Sequence, residues 1–192
     1  TKLIGSYDSS SISQARAHGG LVVHFVSDRR NSPILPTGGY YVSIKAQGYT
    51  GLNDHSKSFV QVIPEFSVYK NIISQPAVVI ADRIGGAVTM GKTAFYQSAF
   101  LGGHENLLGY RQYRYAGQHM AYNNFEVRYA IANVASYILP GQLGLTGFYD
   151  IGRVWEDNES SNTWHHGVGG GLFFSPAQMA MFQFVMGYSK EG

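Results

Sequence analysis

From Gly19 to Ser189 apolar and polar residues alternate with a period of two, in segments of about ten residues. In 122–131, Phe125, Val127, Tyr129 and Ile131 share one parity, while Asn124, Glu126 and Arg128 share the other. In 143–155, Leu143, Leu145, Tyr149, Ile151 and Trp155 oppose Thr146, Phe148, Asp150, Gly144 and Gly152; in 40–47, Tyr40, Val42, Ile44 and Ala46 oppose Tyr41, Ser43, Lys45 and Gln47. Side chains of a strand alternate between the two faces of a sheet, so this period predicts strands. Nine segments carry it: GGLVVHFVSDR, GYYVSIKAQGY, KSFVQVIPEFSVYK, PAVVIADRIGGAVTM, TAFYQSAF, MAYNNFEVRYAIANV, QLGLTGFYDIGRVW, WHHGVGGGLFF and QMAMFQFVMGYS. Turn residues separate them, among them Asn31-Ser32-Pro33, Pro36-Thr37-Gly38-Gly39, Leu52-Asn53-Asp54, Pro140-Gly141 and Ser175-Pro176. In 77–90, Asp82 interrupts the face made by Val78, Ile80, Ile84 and Val88, which points to a bulge or an interfacial position there.

Which solvent each face meets follows from composition. Charged residues make up 14% of the 192, below the roughly 25% of soluble domains. A soluble β-sandwich would turn its charges outward over a crowded apolar core. Here one parity is apolar and aromatic in segment after segment, and the other mixes charges with glycine. Lipid outside and a polar lumen inside give that pattern. The alternation therefore predicts an all-β chain, an antiparallel transmembrane β-barrel contributing about nine strands, closed because lipid forbids an unpaired edge. Trp155, Trp164 and the tyrosines near strand ends suit an aromatic girdle at the membrane interface.

Other classes find little support. A net charge of +2 without a Lys/Arg run argues against nucleic acid. There is no cysteine, hence no disulfide or thiolate site, and no run of 18 apolar residues for a transmembrane helix. No serine-nucleophile elbow, zinc-protease signature or phosphate loop is present. Gly167–Leu172 (GVGGGL) is glycine-rich but lies within a strand segment and lacks the third glycine of a dinucleotide fingerprint. His165 and His166 are adjacent, so a strand sends them to opposite faces, poorly placed to share a metal. Asp54-His55 could be half of a protease dyad, but its surroundings read as an ordinary turn, and His18, His24, His104 and His119 are scattered. No enzymatic activity, metal or cofactor is expected.

Five motifs, in order along almost the whole chain, resemble the C-terminal barrel of the BamA/TamA bacterial surface-antigen superfamily of outer-membrane proteins. SDRRNSPILPTGGYYVSIKAQG is similar to its Asp-x-Arg-x-Asn…Pro-Thr-x-Gly turn, and FLGGHENLLGYRQY to its Gly-Gly…Arg-Gly-Phe/Tyr loop. NNFEVRY is similar to its Asn-x-Glu-x-Arg strand, GLTGFYDIGRVW to its Phe-x-Asp-x-Gly strand, and HHGVGGGLFFSP to the glycine-rich strand that follows.

The resemblance implies the C-terminal part of a sixteen-stranded barrel over residues 1–192, with 1–18 the remnant of an earlier strand and loop, and the barrel's first and last strands outside the chain. It implies a lumen-inserted loop at 102–118 whose tip, Gly109, Tyr110, Arg111 and Arg114, latches onto an inner wall of Glu126, Arg128, Phe148, Asp150, Gly152, Gly167, Gly169 and Gly171. Leu108 stands where the family carries arginine, so the cation is expected from Arg111, paired with Asp150, or from Arg114. The implied function is membrane-protein assembly, insertion or translocation, in the outer membrane of a Gram-negative bacterium as a multi-pass barrel. Lipids, client proteins and periplasmic modules of the same chain would be its partners. An anchor or exporter for an N-terminal patatin-like or metallophosphoesterase hydrolase is the alternative.

Overall fold

The structure, a computed structural model, describes residues 15–75, 77–91, 97–135, 137, 139–156, 162–177 and 179–190. It contains ten strands: β1 (His18–Asp28), β2 (Gly38–Gly51), β3 (Phe59–Ser74), β4 (Ala77–Gly91), β5 (Ala99–Leu101), β6 (Tyr115–Gly117), β7 (His119–Val134), β8 (Gly141–Trp155), β9 (His165–Pro176) and β10 (Phe182–Ser189). Eight of them form one antiparallel sheet in the order β1-β2-β3-β4-β7-β8-β9-β10, and β5 pairs with β6 in a separate hairpin. The eight long strands coincide with eight of the nine periodic segments. The ninth, TAFYQSAF, supplies only Ala99 and Phe100 to β5, and Thr93–Tyr96 lie outside the described residues. So do residues 1–14 of the expected remnant.

The expectation of a closed barrel is corrected here. β1 and β10 are each hydrogen-bonded on one side only, so the main sheet is open with two edges. The domain is all-β with ten strands in two open sheets, and the closed multi-pass outer-membrane barrel falls with closure. Alternation reports the face of each side chain and is blind to whether the first strand meets the last, which is decided by strand number, tilt and stagger.

The two faces of the sheet are inverted relative to a soluble domain. Outward-facing Leu21, Phe25, Phe66, Ile84, Leu145, Val168 and Phe184 are exposed, whereas Gln61, Ser67, Thr89, Arg128, Thr146 and Asp150 on the inner face are buried. Inner polar groups bond across strands: Gln61 Nε2 donates to Thr89 Oγ1 at 2.9 Å, and Thr146 Oγ1 to a Glu126 carboxylate oxygen at 2.7 Å. Buried polar groups paired in this way cost little, whereas unpaired they would each cost ~1–3 kcal/mol. Asp82 sits in unbroken pairing with Val68 and Phe125, so no bulge accommodates it. It is met instead on the outer face by Asn123, whose Nδ2 donates to its Oδ1 at 2.7 Å. The register shifts lie elsewhere, between Asn71 and Ile73 and between Ala130 and Ala132, next to the β3–β4 and β7–β8 turns.

Candidate functional site

The β5–β6 hairpin and the loop joining its strands lie against the inner face of the sheet. Leu101 and Leu107 are fully buried with Tyr122 of β7, and Tyr110, Tyr115, Met120 and Val154 pack around them. Thus this apolar cluster joins the β5–β6 hairpin and its loop to β7 and β8. Within it, Gly103 and Leu107 exchange backbone hydrogen bonds at 3.1 and 3.0 Å, Gly102 N–H donates to Asn106 Oδ1 at 2.8 Å, and Asn106 Nδ2 donates to the Phe100 carbonyl at 3.0 Å. These bonds make the turn rigid without regular secondary structure.

The loop tip rests on three strands at once. On β8, Asp150, 1% exposed, accepts the Leu108 N–H at 2.8 Å. On β9, the Leu108 carbonyl lies against Gly167, where a Cβ would overlap it, and the Tyr110 hydroxyl donates to the His166 carbonyl at 3.2 Å. On β10, Ser189 Oγ donates to the Gly109 carbonyl at 2.9 Å, and a Cβ built on Gly187 would stand 2.8 Å from Gly109 N. Gly109 itself has φ +91° and faces the Tyr188 backbone, a conformation and an approach that favour glycine. From the other side, Arg83 of β4 donates to the Glu105 carbonyl and to Asn124 Oδ1, and Asn124 Nδ2 donates to the Asn106 carbonyl at 2.9 Å. A recess of about 250 Å³ with mixed polar and apolar walls remains beside the tip, lined among others by Tyr69, Arg83, Leu108, Glu126, Phe148 and Asp150.

The residues singled out from sequence divide into those at the docking contact and those beside it. Gly109, Tyr110, Asp150 and Gly167 meet there, and Gly152 makes room for Leu101, whose Cδ1 would be 2.8 Å from an added Cβ. Phe148 lines the recess, and Glu126 and Arg128 form a pair at 3.7 Å, with the Arg128 guanidinium 5.7 Å from the Tyr69 ring centre. Gly169 and Gly171 face the β10 backbone rather than the loop. Arg111 is exposed, and its carbonyl accepts the Arg114 N–H at 3.2 Å; the Arg114 guanidinium lies 5.9 Å from the Tyr115 ring centre. At Asp150 the structure places a backbone amide where a cation was expected. Arg83, Asn106, Asn124, Gly187 and Ser189 were not anticipated as contributors. Parity puts Arg83 on the inner face beside Asn124, a signal that could have found it; Asn106 sits inside the Gly-Gly…Gly-Tyr loop, where a turn amide is common.

The histidines stay apart. His165 faces inward, stacked on Tyr115 at 3.8 Å, and His166 faces outward, with Nδ1 2.7 Å from the Tyr149 hydroxyl. Asp54 and His55 are exposed in the β2–β3 turn. Among the described residues no group of three or more His, Asp or Glu side chains could hold a metal ion.

Comparison with protein families gives a match to the Omp85 superfamily domain over residues 15–191. The chain belongs to the Omp85 superfamily. This is a superfamily of outer-membrane β-sheet proteins, structural rather than catalytic. The Omp85 match runs from before β1 to past β10, so the docked loop, its seat and both sheet edges all lie inside the Omp85 domain. No curated protein matches the chain significantly.

Proposed function

We propose that this Omp85 domain is the lipid-facing part of a membrane-protein assembly or translocation machine of the BamA/TamA type. Its outward apolar face would lie against lipid, its inner polar face toward client segments, and periplasmic modules of the same chain would deliver those clients. The observation that carries this reading is the loop docked on the inner face, with its tip held by Asp150, Gly167 and Ser189 at once. Such a machine performs no covalent chemistry. It needs an ordered polar surface and a strand edge that can accept a partner by backbone pairing.

The test is reconstitution of the full-length chain in lipid vesicles with an unfolded outer-membrane client. Accelerated folding of the client into the bilayer, with the acceleration lost when the loop seat is disturbed, supports the proposal. A client folding rate identical to that in empty vesicles overturns it. The second reading, an anchor or exporter for an N-terminal hydrolase, is favoured by Leu108 at the position where the family carries arginine. It predicts a hydrolase, in place of repeated periplasmic modules, ahead of residue 1 in the full-length chain.

A further inference from the structure

We infer that the loop tip and the edge strand β10 form one coupled unit, in which the loop clasps β10 to the sheet and β10 completes the seat on which the loop docks. The pairing of β10 with β9 is thin. Val185, Met186, Gly187 and Ser189 stand opposite Gly171, Gly170, Gly169 and Gly167, so half of its eight residues meet no side chain across the ladder. Its outward side chains Phe182, Phe184, Met186 and Tyr188 are exposed, and three of them stand opposite Phe174, Leu172 and Val168 of β9. Beyond this ladder, further contacts reach it across the inner face. Ser189 Oγ reaches the Gly109 carbonyl at 2.9 Å, the Gly109 backbone presses on Gly187 and Tyr188, and Gln183 Nε2 reaches Glu126 of β7 at 3.4 Å. The same tip is bonded to Asp150 of β8 and to the His166 carbonyl of β9. The three residues Leu108, Gly109 and Tyr110 therefore tie the edge strand to its two inward neighbours. Coupling of this kind is reciprocal: whatever lifts the tip loosens β10, and whatever frees β10 weakens the docked tip by the same factor. The inference rests on these contacts alone and holds for either reading of what the domain serves.

Hydrogen exchange on the full-length chain in non-denaturing detergent tests it. Leu108→Pro deletes the amide that Asp150 accepts without altering a residue of the sheet. The amides of β10 should then exchange about five-fold faster, as expected for the loss of one net hydrogen bond, with β2 and β3 unchanged. Ser189→Ala should raise exchange across 107–114 by a similar factor. Faster exchange in the loop with β10 unchanged overturns the inference. If Leu108→Pro loosens β2 and β3 as well, or does not fold, the unaltered chain decides. In a urea series the loop-tip and β10 amides should open together with one denaturant dependence, and two separate dependences refute the coupling.

Discussion

Gly167→Ala is the most direct probe of the loop seat. An alanine Cβ there would overlap the Leu108 carbonyl oxygen, and that oxygen belongs to backbone, which cannot rotate aside as a side chain would. Restoring a contact of roughly 3.5 Å requires the tip to retreat by ~1 Å. The Leu108 N–H to Asp150 bond, 2.8 Å long, would then stretch beyond hydrogen-bonding range. Two costs add: overpacking of ~1–3 kcal/mol, and ~1–3 kcal/mol for a buried donor and carboxylate deprived of each other. The expected loss is about 2–6 kcal/mol in the docking of the loop. Gly147→Ala on β8 is the matched control, since its Cβ would meet nothing nearer than the Gly169 carbonyl oxygen at 3.9 Å. It should be neutral or gain up to ~1 kcal/mol from a stiffer unfolded chain. Denaturant unfolding in detergent, with limited proteolysis at 102–114, measures both. Equal stability and equal protease resistance of the two variants would refute the claim that the tip is seated on Gly167.

Asp150→Asn keeps an oxygen that can accept the Leu108 N–H and should cost about 1 kcal/mol, whereas Asp150→Ala should cost ~2–4 kcal/mol; thermal unfolding of the two side by side separates acceptor from charge. Arg111→Glu should change stability by less than ~0.5 kcal/mol, and Asp150→Lys should not be rescued by it; recovery in the double variant would show the two side chains meeting. Phe66→Arg, on the outward face of β3, should cost ~2–4 kcal/mol in bilayers if that face lies in lipid, read by folding titrations into vesicles. An effect within ~0.5 kcal/mol would mean the face meets water.

The eight long strands and the faces of their residues were legible because pleating converts sequence parity directly into geometry. Gly109, Tyr110, Asp150 and Gly167 were legible through motif and parity together. The donor to Asp150 was not: an amide of the Leu108 backbone carries no side-chain signature, whereas the nearby cations Arg111 and Arg114 do. At Asp82 there is no bulge, and its partner Asn123 lies diagonally across a neighbouring strand, a pairing that has no local trace in sequence. Strands β5 and β6, three residues each, are too short for any period to show. Open edges escaped for a different reason, since alternation continues unchanged up to an edge whether or not another strand lies beyond it.

The buried cluster of Leu101, Leu107 and Tyr122 bears on the order of folding. Two of its three members come from β5 and the loop that follows it, so a sheet without the docked hairpin has no such cluster. Strand pairings reach as far as Val78 with Tyr129, and Leu108 to Asp150, 42 residues apart, lies within that range, while Gly109 to Ser189 closes a longer separation of 80. Contacts at such separations form only after the intervening chain has been confined. Docking of the tip on β10 is therefore expected after the strands of the sheet have paired. Weakening it should leave the folding rate of the sheet almost unchanged and appear in the unfolding rate. The clasp thus acts as a kinetic lock, setting how long the assembled domain lasts rather than how quickly it forms.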